Sequence, residues 1–250
     1  MLLYGAPSDF LQYLKSLNLL NSKACLGKQD RIKSHSLTFF KYPIYQEGKE
    51  IGYLISDEKG RICEFSLPSL LKIAKIKDFP RFSFFLNSHA TASAILMACL
   101  GFKGNEPEKA FIASINVFIQ KCLCNQPGKP LIYDMKEGLE NFAKYKGKSL
   151  EIREVFAAGE GRKAIDFYKR EIEARRPLIV SFIYDKEGRN PQRARERREA
   201  DSYLAIGYLE GEKPKGVSSL FLILYDGKNI LAKSYDDSHT NLIILGAREK

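Results

Sequence analysis

The 250-residue chain has no tryptophan, only three histidines and three methionines, and an odd number of cysteines, five. Each shortage excludes something. The histidines stand far apart, at 35, 89 and 239, and the cysteines at 25, 63, 99, 122 and 124 do not form two spaced pairs. Structural zinc sites draw on closely spaced Cys and His, so no metal is expected, and no motif suggests another cofactor. Cys122 and Cys124 are too near in sequence to bridge easily, so a disulfide framework is not expected and a reducing compartment suits the chain. No apolar run reaches the length of a membrane span. The opening MLLYGAPSDFLQYLKSLNLL lacks the basic segment and apolar core of a signal peptide. A chain that starts here is expected in the cytoplasm, and secretion would require a leader removed beforehand. There is no internal repeat and no low-complexity tract.

What is present is an ordinary globular composition, in a chain long enough for a sizeable core. The formal charge is +10, from 40 basic and 30 acidic residues. Because this excess is spread along the chain, it is only a weak argument for nucleic acid.

Periodicity organises the rest. Near the start, Ser8 can cap a helix carrying Phe10, Leu11, Leu14 and Leu17 on one face. SLTFFKYPIYQEG and EIGYLISDEKGRICEFS read as strands or a hairpin. NEPEKAFIASINVFIQKCL places apolar residues at 111, 112, 115, 118, 119 and 122, with Asn105 and Glu108 as a capping box. MKEGLENFAKYKG puts Met135, Leu139 and Phe142 on one helix face and ends at Gly147. RKAIDFYKREIEARR does the same with Ala164, Ile165, Tyr168 and Ile172, and stops before Pro177. Beyond Pro177 come short β-rich runs: PLIVSFIY, YLAIGYL, SLFLILYD, NILAKSY and NLIILG. Helices followed by strands predict an α+β fold with an antiparallel sheet. The expected division is an N-terminal helix and hairpin region, 1–84, and a core, 85–250, made of a helical half (85–176) and an antiparallel β half (177–250). Together they are expected to form one compact unit.

The stretch FLNSHATASAILMACLG is different. From Ala90 to Leu100 almost every residue is apolar or small, so a helix over about 88–100 is expected to be buried on all sides. Its first turn carries orphan amides and the positive end of the helix dipole. Asn87 and Ser88 both suit the capping position. His89 is expected as a polar first-turn residue near the surface, and adjacency on a helix keeps it from forming a dyad with Ser88. Cys99 reads as a core residue in mid-helix. Cys63 could serve as a nucleophile only with a paired base, and no histidine stands where one would be needed.

Here the chain resembles the papain-like cysteine peptidases, near the bacteriocin-transporter double-glycine peptidases. SHATASAILMACLG matches the length and texture of their nucleophile helix. RRPLIVSF and DSYLAIGYL follow in the order of their later strands, and KSYDDSHTN matches the turn that carries their orienting Asp or Asn. The resemblance covers about 160 residues, from Phe85 onward. It implies a papain-like fold in which the 88–100 helix packs on the C-terminal sheet. It also implies a set of site positions. Ser88 stands where the family has its nucleophilic Cys, Asp201 where it has the general-base His, and Phe82 where it has the oxyanion Gln. Only the orienting carboxylate has a match, Asp237, with Asp236 beside it.

A hydroxyl nucleophile needs a base of imidazole-like pKa within hydrogen-bond reach. The expectation is therefore a catalytically silent papain-like domain that binds a protein or peptide, without catalytic residues. Two other readings stand beside it. One is a hydrolase, peptidase or transferase with a rebuilt site, Ser88 with His239 as base and Asp237. The other is a basic nucleic-acid-binding protein. The run from Lys186 to Asp201, KEGRNPQRARERREAD, brings together Arg189, Arg193, Arg195, Arg197 and Arg198. It reads as a solvated loop beside the implied cleft, suited to docking an acidic partner, and it lacks the aromatics of a single-strand binder.

Overall fold

The computed structural model describes residues 7–34, 37–124, 133–184, 199–210, 220–235 and 241–249. His35, Asp236, Asp237, His239 and the arginines at 189, 193, 195, 197 and 198 lie outside them, as do the side chains of Cys122 and Cys124. In chain order the elements are α1 (Pro7–Ser16), β1 (Cys25–Leu26), β2 (Asp30–Ser34), β3 (Leu37–Gln46), β4 (Lys49–Asp57), β5 (Ile62–Ser66) and α2 (Leu70–Ile73). Then come α3 (Ser88–Cys99), α4 (Glu108–Cys124), α5 (Tyr133–Tyr145), β6 (Leu150–Phe156) and α6 (Ala157–Glu173). The chain finishes with β7 (Leu178–Tyr184), β8 (Glu199–Glu210), β9 (Leu220–Tyr225), β10 (Ile230–Ser234) and β11 (Asn241–Glu249). The fold is mixed α+β, with antiparallel pairing in each strand pair whose register is described.

The chain divides into two compact units, and the division does not fall at residue 85. The first holds residues 1–74, 207–224 and 229–236; the second holds 75–206, 225–228 and 237–250. The N-terminal strands thus share a unit with strands from the C-terminal third. In the first unit the strand order is β1-β3-β4-β5-β10-β9, with β2 beside β3. Its core is built on Phe10 of α1, which meets Phe65 of β5 at 5.2 Å and Phe221 of β9 at 5.7 Å between ring centroids. Leu14, Leu54 and Leu70 are buried with them. Pro7 opens α1, where its missing N–H costs nothing, so Ser8 lies inside the helix rather than capping it.

In the second unit the order is β8-β7-β11-β6. Buried β7 alternates faces, so Ser181 points to one side and Phe182 to the other. α3 packs on β7, and α4 and α5 pack on α3 and on each other. Gly138 of α5 lets the helices approach closely: a Cβ there would lie 2.8 Å from the backbone of Ile119. α6 takes the opposite face. A Cβ at Gly246 of β11 would lie 2.9 Å from the ring of Phe167.

Two corrections to the sequence reading follow. The stretch 85–176 is not purely helical, because LEIREVF forms β6, the strand beside β11. Glu108 does not close a capping box on Asn105; its carboxylate instead accepts from the amide of Phe84 and the hydroxyl of Ser83. Truncating Phe10 to Ala should cost about 3–5 kcal/mol of stability in chemical denaturation, as for other buried aromatics. A loss under about 1 kcal/mol would contradict the central place given to this ring.

Candidate functional site

α3 is buried along nearly its whole length, from His89 to Met97. Such a helix has no wet face on which to spend polar groups, so its first turn must satisfy its own. Asn87 is the cap: its Oδ1 accepts from the amide of Ala90 at 2.7 Å, and its Nδ2 donates to Asn116 Oδ1 of α4 at 3.1 Å. Ser88 is the first helical residue rather than the cap. Its Oγ accepts from the backbone amide of Ser202, at 3.3 Å.

His89 is buried, not at the surface, with 9% of its area exposed. Its Nδ1 lies 2.6 Å from Ser202 Oγ, which in turn lies 2.6 Å from Ser181 Oγ. Met135 of α5 closes the group, with its sulfur 3.8 Å from Ser202 Oγ. Ser181 and Ser202 face each other directly in the β7–β8 register. Two buried hydroxyls and a neutral imidazole can satisfy one another, since each both donates and accepts. Burial pushes the His89 pKa below its ordinary value, against the charge of Asp201 and a hydrogen bond to the backbone of Ala200. The ring is therefore uncharged at neutral pH.

The β8 side chain that hydrogen-bonds to the helix start is Ser202, while Asp201 acts on His89 through its charge. Alternation along the strand sends Asp201 to the face opposite Ser202. Ser88 and His89 do not bond to each other; both bond to Ser202. Phe82 is buried and packs edge-on against Phe111 of α4 at 6.4 Å. A phenyl ring there donates no hydrogen bond to an oxyanion.

The remaining thiols behave as their places dictate. Cys63 lies on β5 and donates to the carbonyl of Arg61 at 3.4 Å. Cys99 is the last residue of α3 and half-buried, and burial pushes its thiol up to about 11. Cys25 is exposed. No helix among the described residues is long and apolar enough to cross a membrane. Nor, among them, do three or more His, Cys, Asp or Glu gather where they could hold a metal.

Sequence reasoning missed Ser181 and Ser202. The one available signal was a serine at an inward position of each of two apolar strands, which must find a partner once buried.

Two outcomes check this geometry. A histidine whose folded pKa is depressed takes up its proton more readily when unfolded, so stability falls as pH drops below about 6.5 towards the folded value. His89→Gln should flatten that part of the stability–pH curve, read by denaturant titration from pH 8 to 5; an unchanged curve would contradict a buried neutral ring. Iodoacetamide at pH 7.5 should label Cys25 well before Cys99, read by peptide mass spectrometry, because the thiol rather than the thiolate dominates at Cys99. Equal labelling would contradict its assigned environment. No protein-family model matches this chain, and no curated protein matches it.

Proposed function

We propose that this protein is a catalytically silent domain of papain-like type that works by binding a protein or peptide. The observation that carries the reading is the use of the Ser88 hydroxyl: it accepts a backbone amide of β8, while the neighbouring imidazole is committed to Ser202. A serine nucleophile needs its proton removed by a base in contact with it. Ser202 itself does contact an imidazole, but it is 1% exposed and a substrate carbonyl could not approach it. Its bonds to His89 and Ser181 serve the packing of α3 on the strands.

The binding half of the reading rests on the segment that leads into α3. Phe85 and Leu86 are 53% and 42% exposed, immediately before the capping residue. Large apolar side chains held open on an ordered segment are what a peptide-binding surface offers. Lys109 stands over the ring of Phe84 at 5.4 Å and Arg81 over that of Phe79 at 5.8 Å, so the apolar segment has basic neighbours. Peptides combining apolar and acidic residues fit it best.

A fluorophosphonate probe should leave the chain unlabelled, and a panel of peptide and ester substrates should show no turnover above the Ser88→Ala variant. Turnover or labelling abolished by Ser88→Ala overturns the reading. In a displayed peptide library, ligands selected on the chain should be enriched in acidic and apolar residues and should lose at least about tenfold in affinity to Phe85→Ser. Ligands indifferent to that change would place binding elsewhere.

A further inference from the structure

Residues 75–87 lead into α3 without regular secondary structure. The backbone groups of so long a connection need partners, and long ordered loops tend to carry function. Its last part is tied to α4 at successive points. Phe82 packs edge-on against Phe111 at 6.4 Å. Glu108, in the first turn of α4, accepts from the amide of Phe84. It also accepts from the hydroxyl of Ser83, whose Oγ lies 3.3 Å from Oε1 and 3.4 Å from Oε2. Lys109 covers the ring of Phe84 at 5.4 Å. Asn87 Nδ2 donates to Asn116 Oδ1 at 3.1 Å, and the amide of Leu86 donates to Thr91 Oγ1 of α3 at 3.4 Å.

Between these ties, Phe85 and Leu86 are the large apolar side chains left exposed. The ring of Phe85 rests beside the turn between β9 and β10, where a Cβ on Gly227 would lie 3.4 Å from it. The segment is therefore held before any ligand arrives, which lowers the ordering cost of binding.

The ties differ in kind. Phe82 and Asn87 fix the two ends through side chains, whereas Glu108 grips the backbone next to Phe85. Both oxygens of this half-buried carboxylate are engaged within the protein, so it acts on a ligand only through the segment it holds. Ser83 is exposed and shares the same carboxylate. A hydroxyl there donates to Glu108; an anionic group in its place would repel it at short range and free the Phe84 amide.

We propose that Glu108 is a charge-sensitive latch on the binding segment. Closed on Ser83 and Phe84, it holds Phe85 and Leu86 in position, and negative charge at residue 83 opens it. The proposal rests on the reading of Phe85 and Leu86 as a peptide-binding surface; within it Glu108 is a positioning residue and Ser83 the point of control.

The test has two readouts on the full chain. The first needs no ligand: hydrogen exchange of the Phe84 amide, followed by NMR. Glu108→Ala and Ser83→Asp should each speed it at least about tenfold, while Glu108→Gln, which keeps an acceptor, and Ser83→Ala, which keeps the carboxylate, should stay near wild type. The second is affinity for the tightest peptide from the displayed library. Glu108→Ala removes a negative charge, so simple attraction would tighten binding of an acidic peptide, whereas loss of the latch should weaken it at least about fivefold, and Glu108→Gln should rescue it. Phe84 exchange unchanged in both Glu108→Ala and Ser83→Asp overturns the latch. So does faster exchange with peptide affinity unchanged or tightened in Glu108→Ala. Should Glu108→Ala melt below wild type, Ser83→Asp at an exposed position decides the exchange test alone. Exchange that responds as expected, with selected peptides indifferent to Phe85→Ser, supports the latch and contradicts the binding reading instead.

Discussion

A helix buried on every side must dispose of the polar groups at its entrance, and the rest of the second unit is arranged around how α3 does this. Asn87 satisfies the amide of Ala90, Ser88 takes the amide of Ser202, and His89 takes its hydroxyl. Ser181 completes the set from β7, held opposite Ser202 by the strand register, and Met135 brings α5 to the same place. One hydrogen-bonded group thus joins a helix start, two strands and a second helix. In a low-dielectric interior a fully satisfied network of this kind fixes geometry, and a half-satisfied one is costly.

The proposed silence of the chain has the same origin. At the start of an apolar helix, dipole and free amides would favour an activated anionic nucleophile. Here those features meet a serine whose oxygen accepts an amide and a histidine that burial keeps neutral and tied to another hydroxyl. Of the positions that the papain-like resemblance would make chemical, Phe82 packs against Phe111, and Asp201 stands on β8 next to Ser202.

Much of the fold was legible because it rests on periodicity. Phe111, Ile112, Ile115 and Ile119 of the α4 stripe, the Met135–Leu139–Phe142 face of α5 and α3 from His89 to Met97 each name their burial directly, and those residues are buried, while Phe118 of the α4 stripe is half-buried. The β-rich runs after Pro177 form β7 to β11. β6 was not legible. It is a seven-residue strand between two helices, and Glu154 breaks the alternation set by Leu150 and Ile152. The polar centre was not legible either. A lone histidine in a first turn reads as solvated, and its partner lies 113 positions away. Glu171 and Arg248, 77 positions apart, hide in the same way, each looking like one more charge on a surface element. Composition and period report which faces are apolar; they do not report which polar side chains meet after folding.

The claim that most depends on atomic contact is the buried bond between His89 and Ser202. A double-mutant cycle, His89→Ala and Ser202→Ala singly and together, measures it by denaturant unfolding. The account predicts non-additivity, with a coupling energy of about 0.5–3 kcal/mol. Strictly additive losses would mean that the two side chains do not hold each other, and that the start of α3 is fixed to β8 in some other way.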